Sequence, residues 1–357
     1  MASSTSHPSR SRRNTPQLLP KWTLLCTIIL SLSDLRHTEA LHHMRERPLS
    51  QKAEANPWTY TPLISGYGPP LNGFELKSGS SQNQTVSADW QGRIWGRTNC
   101  TFNNGNGGGK ACGSGDCNGV LDCKVGGDTP VTPAEFTLNA GDGQTYYDIS
   151  LVDGYNLPLA IVLQPLSNKS MEEIPPNLTN LSCMATGGLL AEKNFSPYNS
   201  GQQFFLGTTS ANPLPLENSV SVNDVYRWCP WDLQVNPPTK PGDGVYPYPD
   251  DMIWRPSFNL CYSACAKWNK QEDCCTGSYG SPSTCQPSEY SRAAKRVCPD
   301  AYSYAFDDRT STFIIPTGSG FEVVFCPGGR STNILASEAD QLNELANTGH
   351  VSEGNSK

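Results

Sequence analysis

The sequence predicts a mainly β domain, a sandwich or barrel stapled by disulfides. Three observations point to it. Gly (32) and Pro (29) make up roughly one residue in six while only 17% are charged, a loop-rich composition that suits short strands better than long helices. Thirteen of the 14 cysteines lie between Cys100 and Cys326, with Cys26 apart, and in an oxidising compartment such a set reads as a disulfide framework. Short apolar-alternating segments recur between Gly, Pro, Asn and Asp turns, the pattern of a sandwich or barrel.

The elements follow in chain order. Residues 1–40 read as a signal peptide: Arg10, Arg12, Arg13 and Lys21 precede an apolar run over 22–32, and Thr38-Glu39-Ala40 offers a cleavage site. That run is shorter than the roughly 20 residues that span a bilayer; an uncleaved signal anchor is the alternative. Residues 41–56 are polar and read as a flexible arm. A single domain is expected over 57–330. Its core strands are predicted at 84–90, 92–100, 134–138, 145–152, 159–166, 311–315 and 321–325, within core segments 57–97, 134–182 and 299–327. Two insertions interrupt it: a small Gly- and Cys-rich lobe over 98–133, and a lobe over 183–298 with eight cysteines and helices expected at 262–274 and 288–297. Residues 331–357 read as a disordered tail, with a short helix over 336–346 as the one element it could form.

Charge limits the partners. The chain carries 26 basic and 33 acidic residues, net −7; without residues 1–40, which hold five basic and two acidic residues, 21 stand against 31. Such a balance disfavours nucleic acid and anionic membranes and suits neutral or cationic partners. Sequons at Asn83, Asn168, Asn177 and Asn180 fit secretion and mark candidate glycosylation sites; Asn194 is weakened by Pro197, and Asn99 has a cysteine in its middle position.

Histidine placement excludes more chemistry. His7, His37, His42, His43 and His350 all lie outside 56–330. A Ser-His-Asp or Cys-His nucleophile system therefore has no base in the domain, and a histidine-bearing catalytic metal site has no ligand. Zinc on Cys261, Cys265, Cys274 and Cys275 is disfavoured by the same absence and by the oxidising compartment. The Gly-rich run 103–110 lacks the Ser or Thr that a phosphate loop needs after its lysine, because Ala111 follows Lys110. Neither a metal nor a cofactor is called for. Carboxylates remain: Glu135 among apolar neighbours, and Asp148 and Asp153 flanking 149–152. A carboxylate pair across a glycosidic bond can supply a general acid and a base or nucleophile, although Asp153-Gly154 also reads as a turn.

Several motifs in order carry a family resemblance. Gly92-Arg93-Ile94-Trp95-Gly96-Arg97-Thr98-Asn99-Cys100 is followed by Cys112-Gly113-Ser114-Gly115-Asp116-Cys117-Asn118-Gly119 and Cys123. Ala134-Glu135-Phe136-Thr137-Leu138 and Tyr147-Asp148-Ile149-Ser150-Leu151-Val152-Asp153-Gly154-Tyr155 come next, then Cys298-Pro299-Asp300-Ala301-Tyr302-Ser303-Tyr304-Ala305-Phe306-Asp307-Asp308 and Phe325-Cys326-Pro327. From about Gly73 to Pro327 this resembles the thaumatin-like (osmotin/thaumatin) family. The resemblance implies a flattened β-sandwich core with a disulfide-rich lobe containing short helices, a smaller disulfide loop lobe, and an acidic cleft. That cleft would be built from Arg93, Glu135, Asp148, Asp153 and Asp307, with Glu135 as proton donor and Asp153 as second carboxylate.

The resemblance further implies the disulfides Cys100–Cys112, Cys117–Cys123, Cys183–Cys298, Cys229–Cys261, Cys265–Cys274 and Cys275–Cys285, with Cys326 unpaired because residues 41–99 hold no cysteine. The family's first strand is expected to be missing or replaced, through divergence or a misplaced first exon, leaving Trp58-Thr59-Tyr60-Thr61-Pro62 as a candidate strand. The implied function is a secreted, cell-wall protein, monomeric, that binds β-1,3-glucan or a similar wall polysaccharide, with or without weak endo-β-1,3-glucanase activity. A wall- or membrane-perturbing antifungal defence protein and a non-catalytic extracellular structural protein are the alternatives.

Overall fold

The computed structural model describes residues 28–34, 39–46, 72–102, 109–166, 168–200, 204–237 and 260–352. Eleven strands are seen among them: β1 Ile28–Asp34, β2 Glu39–Glu46, β3 Gly73–Leu76, β4 Ser81–Ser87, β5 Gln91–Thr98, β6 Pro133–Thr137, β7 Gln144–Ile149, β8 Leu159–Gln164, β9 Leu181–Cys183, β10 Phe313–Pro316 and β11 Gly320–Phe325. They form two sheets. One runs β10-β7-β6-β5-β1-β3 and the other β4-β2-β11-β8-β9. Every pairing is antiparallel except β2 with β11.

The sheets close on each other through aromatic side chains. The alternation in β6 and β7 turns Phe136 and Tyr147 inward, and β11 supplies Phe321 from the other sheet. Ring centroids lie 5.0 Å apart for Phe136–Phe321 and 4.8 Å for Tyr147–Phe321, with the rings tilted by 49° and 50°, within the separations at which aromatic pairs attract. β8 is buried over its first five residues, as expected of a strand covered on both faces. The result is the mainly β sandwich that the sequence predicts.

Among the described residues seven short α-helices lie outside the sheets: α1 Lys169–Glu172, α2 Val222–Arg227, α3 Ala264–Trp268, α4 Gln271–Cys274, α5 Glu289–Val297, α6 Ile334–Ser337 and α7 Ala339–Thr348. The helix expected over 262–274 is two helices, because Asn269 adopts a left-handed conformation (φ 51°) and ends α3. α5 matches its expected place; Ser288 caps it, and Tyr290, Ala293, Ala294 and Val297 face the core.

Among the described residues six disulfides staple the lobes, in the pairs the resemblance implies: Cys100–Cys112, Cys117–Cys123, Cys183–Cys298, Cys229–Cys261, Cys265–Cys274 and Cys275–Cys285. Cys326 forms none among the described residues; Cys26 lies outside them. In the small lobe the Asp116 carboxylate accepts hydrogen bonds from the backbone of Ala111, Cys112 and Gly119. The buried Arg97 donates to the carbonyls of Val120 and Leu121, and burial brings its pKa down to about 10. The large lobe joins the core where Tyr155 and Cys261 exchange backbone hydrogen bonds and the Trp228 ring meets Tyr155 edge-on.

Three expectations are corrected. The first strand is not missing: β1 sits between β5 and β3, and β2 between β4 and β11. Residues 28–34 and 39–46, read as leader and arm, are here strands. A short apolar run such as 22–32 is common to signal peptides and to strands, and the pairing of 39–46 with β4 and β11 is not a local property of the chain. The candidate strand at Trp58–Pro62 lies outside the described residues. The segment beyond 330 is not a disordered tail as far as Ser352. Ser331, Thr332, Ile334 and Leu345 are buried, and α7 packs along the edge strand β10, where Gln144 Nε2 donates to the Ala346 carbonyl at 2.5 Å.

Candidate functional site

The site is built by strand register. β5 and β6 place Arg93 directly opposite Glu135, and β6 and β7 place Glu135 opposite Asp148. Directly opposed residues of antiparallel strands share a face, about 4.5–5.5 Å apart at Cβ. The intervening residues Gly92, Phe136 and Tyr147 belong to the core face. Arg93, Glu135 and Asp148 therefore form a transverse row on the outer face of the six-stranded sheet, and the row floors a cavity of about 630 Å³.

Arg93 bridges two carboxylates. Its Nη2 lies 2.9 Å from Glu135 Oε1, and its Nη1 donates to Asp153 Oδ2 at 2.9 Å. Asp153 comes from the turn after β7, held close to the large lobe. Gly154, at φ +104°, leaves room there that a Cβ would not, since one would stand 2.5 Å from the Cys261 carbonyl oxygen. Burial pushes the Glu135 carboxyl above its usual range; Arg93 opposes this, the charge of Asp153 adds to it, and a Ser150 hydrogen bond pulls it down. Asp148 goes further. Burial first, and the neighbouring Glu135 charge second, drive it well above the carboxylate range. Its Oδ1 is buried and has no hydrogen-bond partner among the described residues. A carboxyl so placed favours its neutral form.

Of the five expected cleft residues, four come together. Arg93, Glu135 and Asp148 line the cavity, and Asp153 joins through Arg93. Asp307 is turned away. Its carboxylate accepts from Ser303 N and Oγ and from Thr310 Oγ1, and pairs with Lys295 at 3.2 Å. It organises its own turn, and the next residue, Asp308, lines the cavity beside Tyr302, whose hydroxyl donates to Asp308 Oδ1 at 2.8 Å. Sequence reasoning missed Asp308, Tyr302 and Tyr146. Tyr146 was within reach, because it stands two residues before Asp148 and a period of two returns it to the same face.

The glycosylation candidates separate by burial. Asn83 is exposed on the edge strand β4. Asn168 caps α1, its side chain accepting from Ser170 N. Asn177 is half-buried. Asn180 is corrected: it is buried, Leu163 N donates to its Oδ1, and its Nδ2 donates to the Leu206 carbonyl at 2.7 Å. An amide used this way inside the core has no room for a glycan.

Among the described residues no group of three or more His, Cys, Asp or Glu side chains could hold a metal, and no helix is long and apolar enough to cross a membrane. The six disulfides fit a secreted protein.

Comparison with known proteins agrees with the fold. The chain is 37% identical over 267 residues to pathogenesis-related protein 5 of Arabidopsis thaliana, covering 74% of this chain and 83% of that one. It is 35% identical over 269 residues to thaumatin-like protein 1 of Pyrus pyrifolia, covering 74% and 84%. To pathogenesis-related thaumatin-like protein 3.5 of Cryptomeria japonica it is 36% identical over 283 residues, covering 78% and 88%. Residues 58–327 match the Thaumatin family, and the chain belongs to that family.

Proposed function

We propose that this chain is a secreted cell-wall protein that binds β-1,3-glucan-type polysaccharide in the cavity floored by Arg93, Glu135 and Asp148. The observation that carries the reading is the open, three-residue row of one cation and two carboxyls on a sheet face. Carboxylates and guanidinium make strong, directional hydrogen bonds to hydroxyls, and a polyhydroxylated neutral chain offers them at close intervals. The net charge of −7 agrees with a neutral partner. Relatives named pathogenesis-related proteins favour a defence setting for the same binding. In this reading the protein acts as a monomer and takes glycans at Asn83 and Asn168, and at Asn177 if its loop opens.

Weak hydrolysis is the second reading, favoured by the elevated carboxyl of Glu135. A proton donor must hold its proton near the working pH. Glu135 would protonate the leaving oxygen, with Asp153, held by Arg93, as the second carboxylate. Binding is tested by pull-down on insoluble β-1,3-glucan, and hydrolysis by reducing-sugar release from soluble β-1,3-glucan. Glu135→Gln is expected to stop sugar release and leave pull-down largely intact. No sugar release from the wild-type protein sinks the hydrolytic reading, and no retention on glucan sinks the binding one.

A further inference from the structure

The acidic row is only half of the cavity floor. Two residues along each strand, the register repeats: Gln91 lies opposite Thr137, Thr137 opposite Tyr146, and Tyr146 opposite Ile314 on β10. All four line the same cavity. This second row carries no formal charge. It runs parallel to the acidic row, and both cross the sheet perpendicular to the strands.

From these two rows the geometry points to an extended oligosaccharide subsite, in which a neutral glycan chain lies across β5, β6, β7 and β10 with Tyr146 as its stacking platform. It rests on the glucan-binding reading and adds where the chain runs and what holds it beyond the acidic row. Dimensions support it. Strands lie about 4.8 Å apart, so a four-strand row extends roughly 14 Å, and two residues along a strand add about 7 Å. That area takes a short oligosaccharide rather than one sugar.

The chemistry of the second row suits the same ligand. A sugar ring presents apolar C–H faces and a rim of hydroxyls. The half-buried Tyr146 ring offers an apolar face, and its hydroxyl is fixed at 2.8 Å to both Asp142 and Gln144, so little freedom is lost when a ring stacks on it. Ile314 extends the apolar surface, while Gln91 and Thr137 supply donors and acceptors for the rim. A cationic ligand would find no formal counter-charge in the second row.

Calorimetric titration of the full chain with laminari-oligosaccharides from the disaccharide to the hexasaccharide tests this. In Tyr146→Ala the loss of affinity is expected to grow with chain length, reaching about tenfold at the hexasaccharide, and Tyr146→Phe is expected to restore most of it because the ring remains. Thr137→Arg, which puts a bulky charge into the second row, is expected to show the same length dependence. Thermal unfolding of each variant shows whether it is folded. An equal loss at every length, or no loss in either Tyr146→Ala or Thr137→Arg, overturns the subsite and leaves glucan binding standing. Failure of the wild-type protein to bind any of these oligosaccharides overturns both.

Discussion

At the residue scale the site turns on how four neighbouring side chains share charge. Arg93 satisfies Glu135 and Asp153 together, while Asp148 keeps a buried oxygen without a partner among the described residues. The raised carboxyl of Asp148 has a stability consequence. A carboxyl whose pKa is higher in the folded chain than the ordinary 3.8 binds more protons folded than unfolded. Stability is therefore lost as pH rises from the ordinary value through the elevated one. Asp148→Asn removes this loss, so the variant is expected to melt higher than the wild type at pH 7, with the gap closing near pH 3, as followed by circular dichroism. Asp307 and Asp308 provide a second contrast. Asp307→Asn weakens the turn held with Lys295, a loss of about 1–3 kcal/mol seen as a lower Tm. Asp308→Asn is expected to spare Tm and reduce glucan retention, since Asp308 and not Asp307 lines the cavity.

At the element scale the segment after the last cysteine is structural. Arg330 is fully buried; it donates to the carbonyls of Glu217, Ala191 and Val220 and lies 3.1 Å from Glu217 Oε2. It ties the C-terminal segment to loops of the large lobe. Arg330→Ala leaves the Glu217 carboxylate buried without its cation, and removing one partner of a buried pair costs about 3–5 kcal/mol; denaturant unfolding checks this. The Cys183–Cys298 bridge closes 115 residues. Chain-entropy arguments put its loss at about 4–5 kcal/mol, so the paired Cys183→Ser and Cys298→Ser variant is expected to unfold at a markedly lower denaturant midpoint while the other five bridges remain intact.

At the scale of the whole molecule, the two sheets depend on the N-terminal strands. β1 separates β3 from the rest of its sheet, and β2 separates β4 from β11. A chain beginning at residue 47 would leave β3 and β4 with no strand to pair with and expose the edges of β5 and β11, a template for pairing between molecules. Such a truncation is expected to elute as aggregate in size-exclusion chromatography, and recovery of a monomer with wild-type Tm would refute this placing of the strands.

The sequence by itself determined the β character, the disulfide-rich lobes, the absence of histidine from the domain and the places of the strands that carry Glu135 and Asp148. Glu135 and Asp148 were legible as candidates because one stands among apolar neighbours, the other flanks a strand, and the family motif implies both for a cleft. The cysteine pairing came from motif order rather than from spacing, since thirteen cysteines admit many connectivities. Only the tertiary structure decided that Glu135 stands opposite Asp148, that Arg93 joins Glu135 to Asp153, that Asp308 replaces Asp307 at the cavity, and that Asn180 is spent inside the core. These depend on register between strands and on turns closed by residues far apart in sequence. Alternation forbids a one-residue slip, which would carry every side chain to the opposite face, but a two-residue slip keeps the faces and changes every partner, and no local pattern in the chain excludes it.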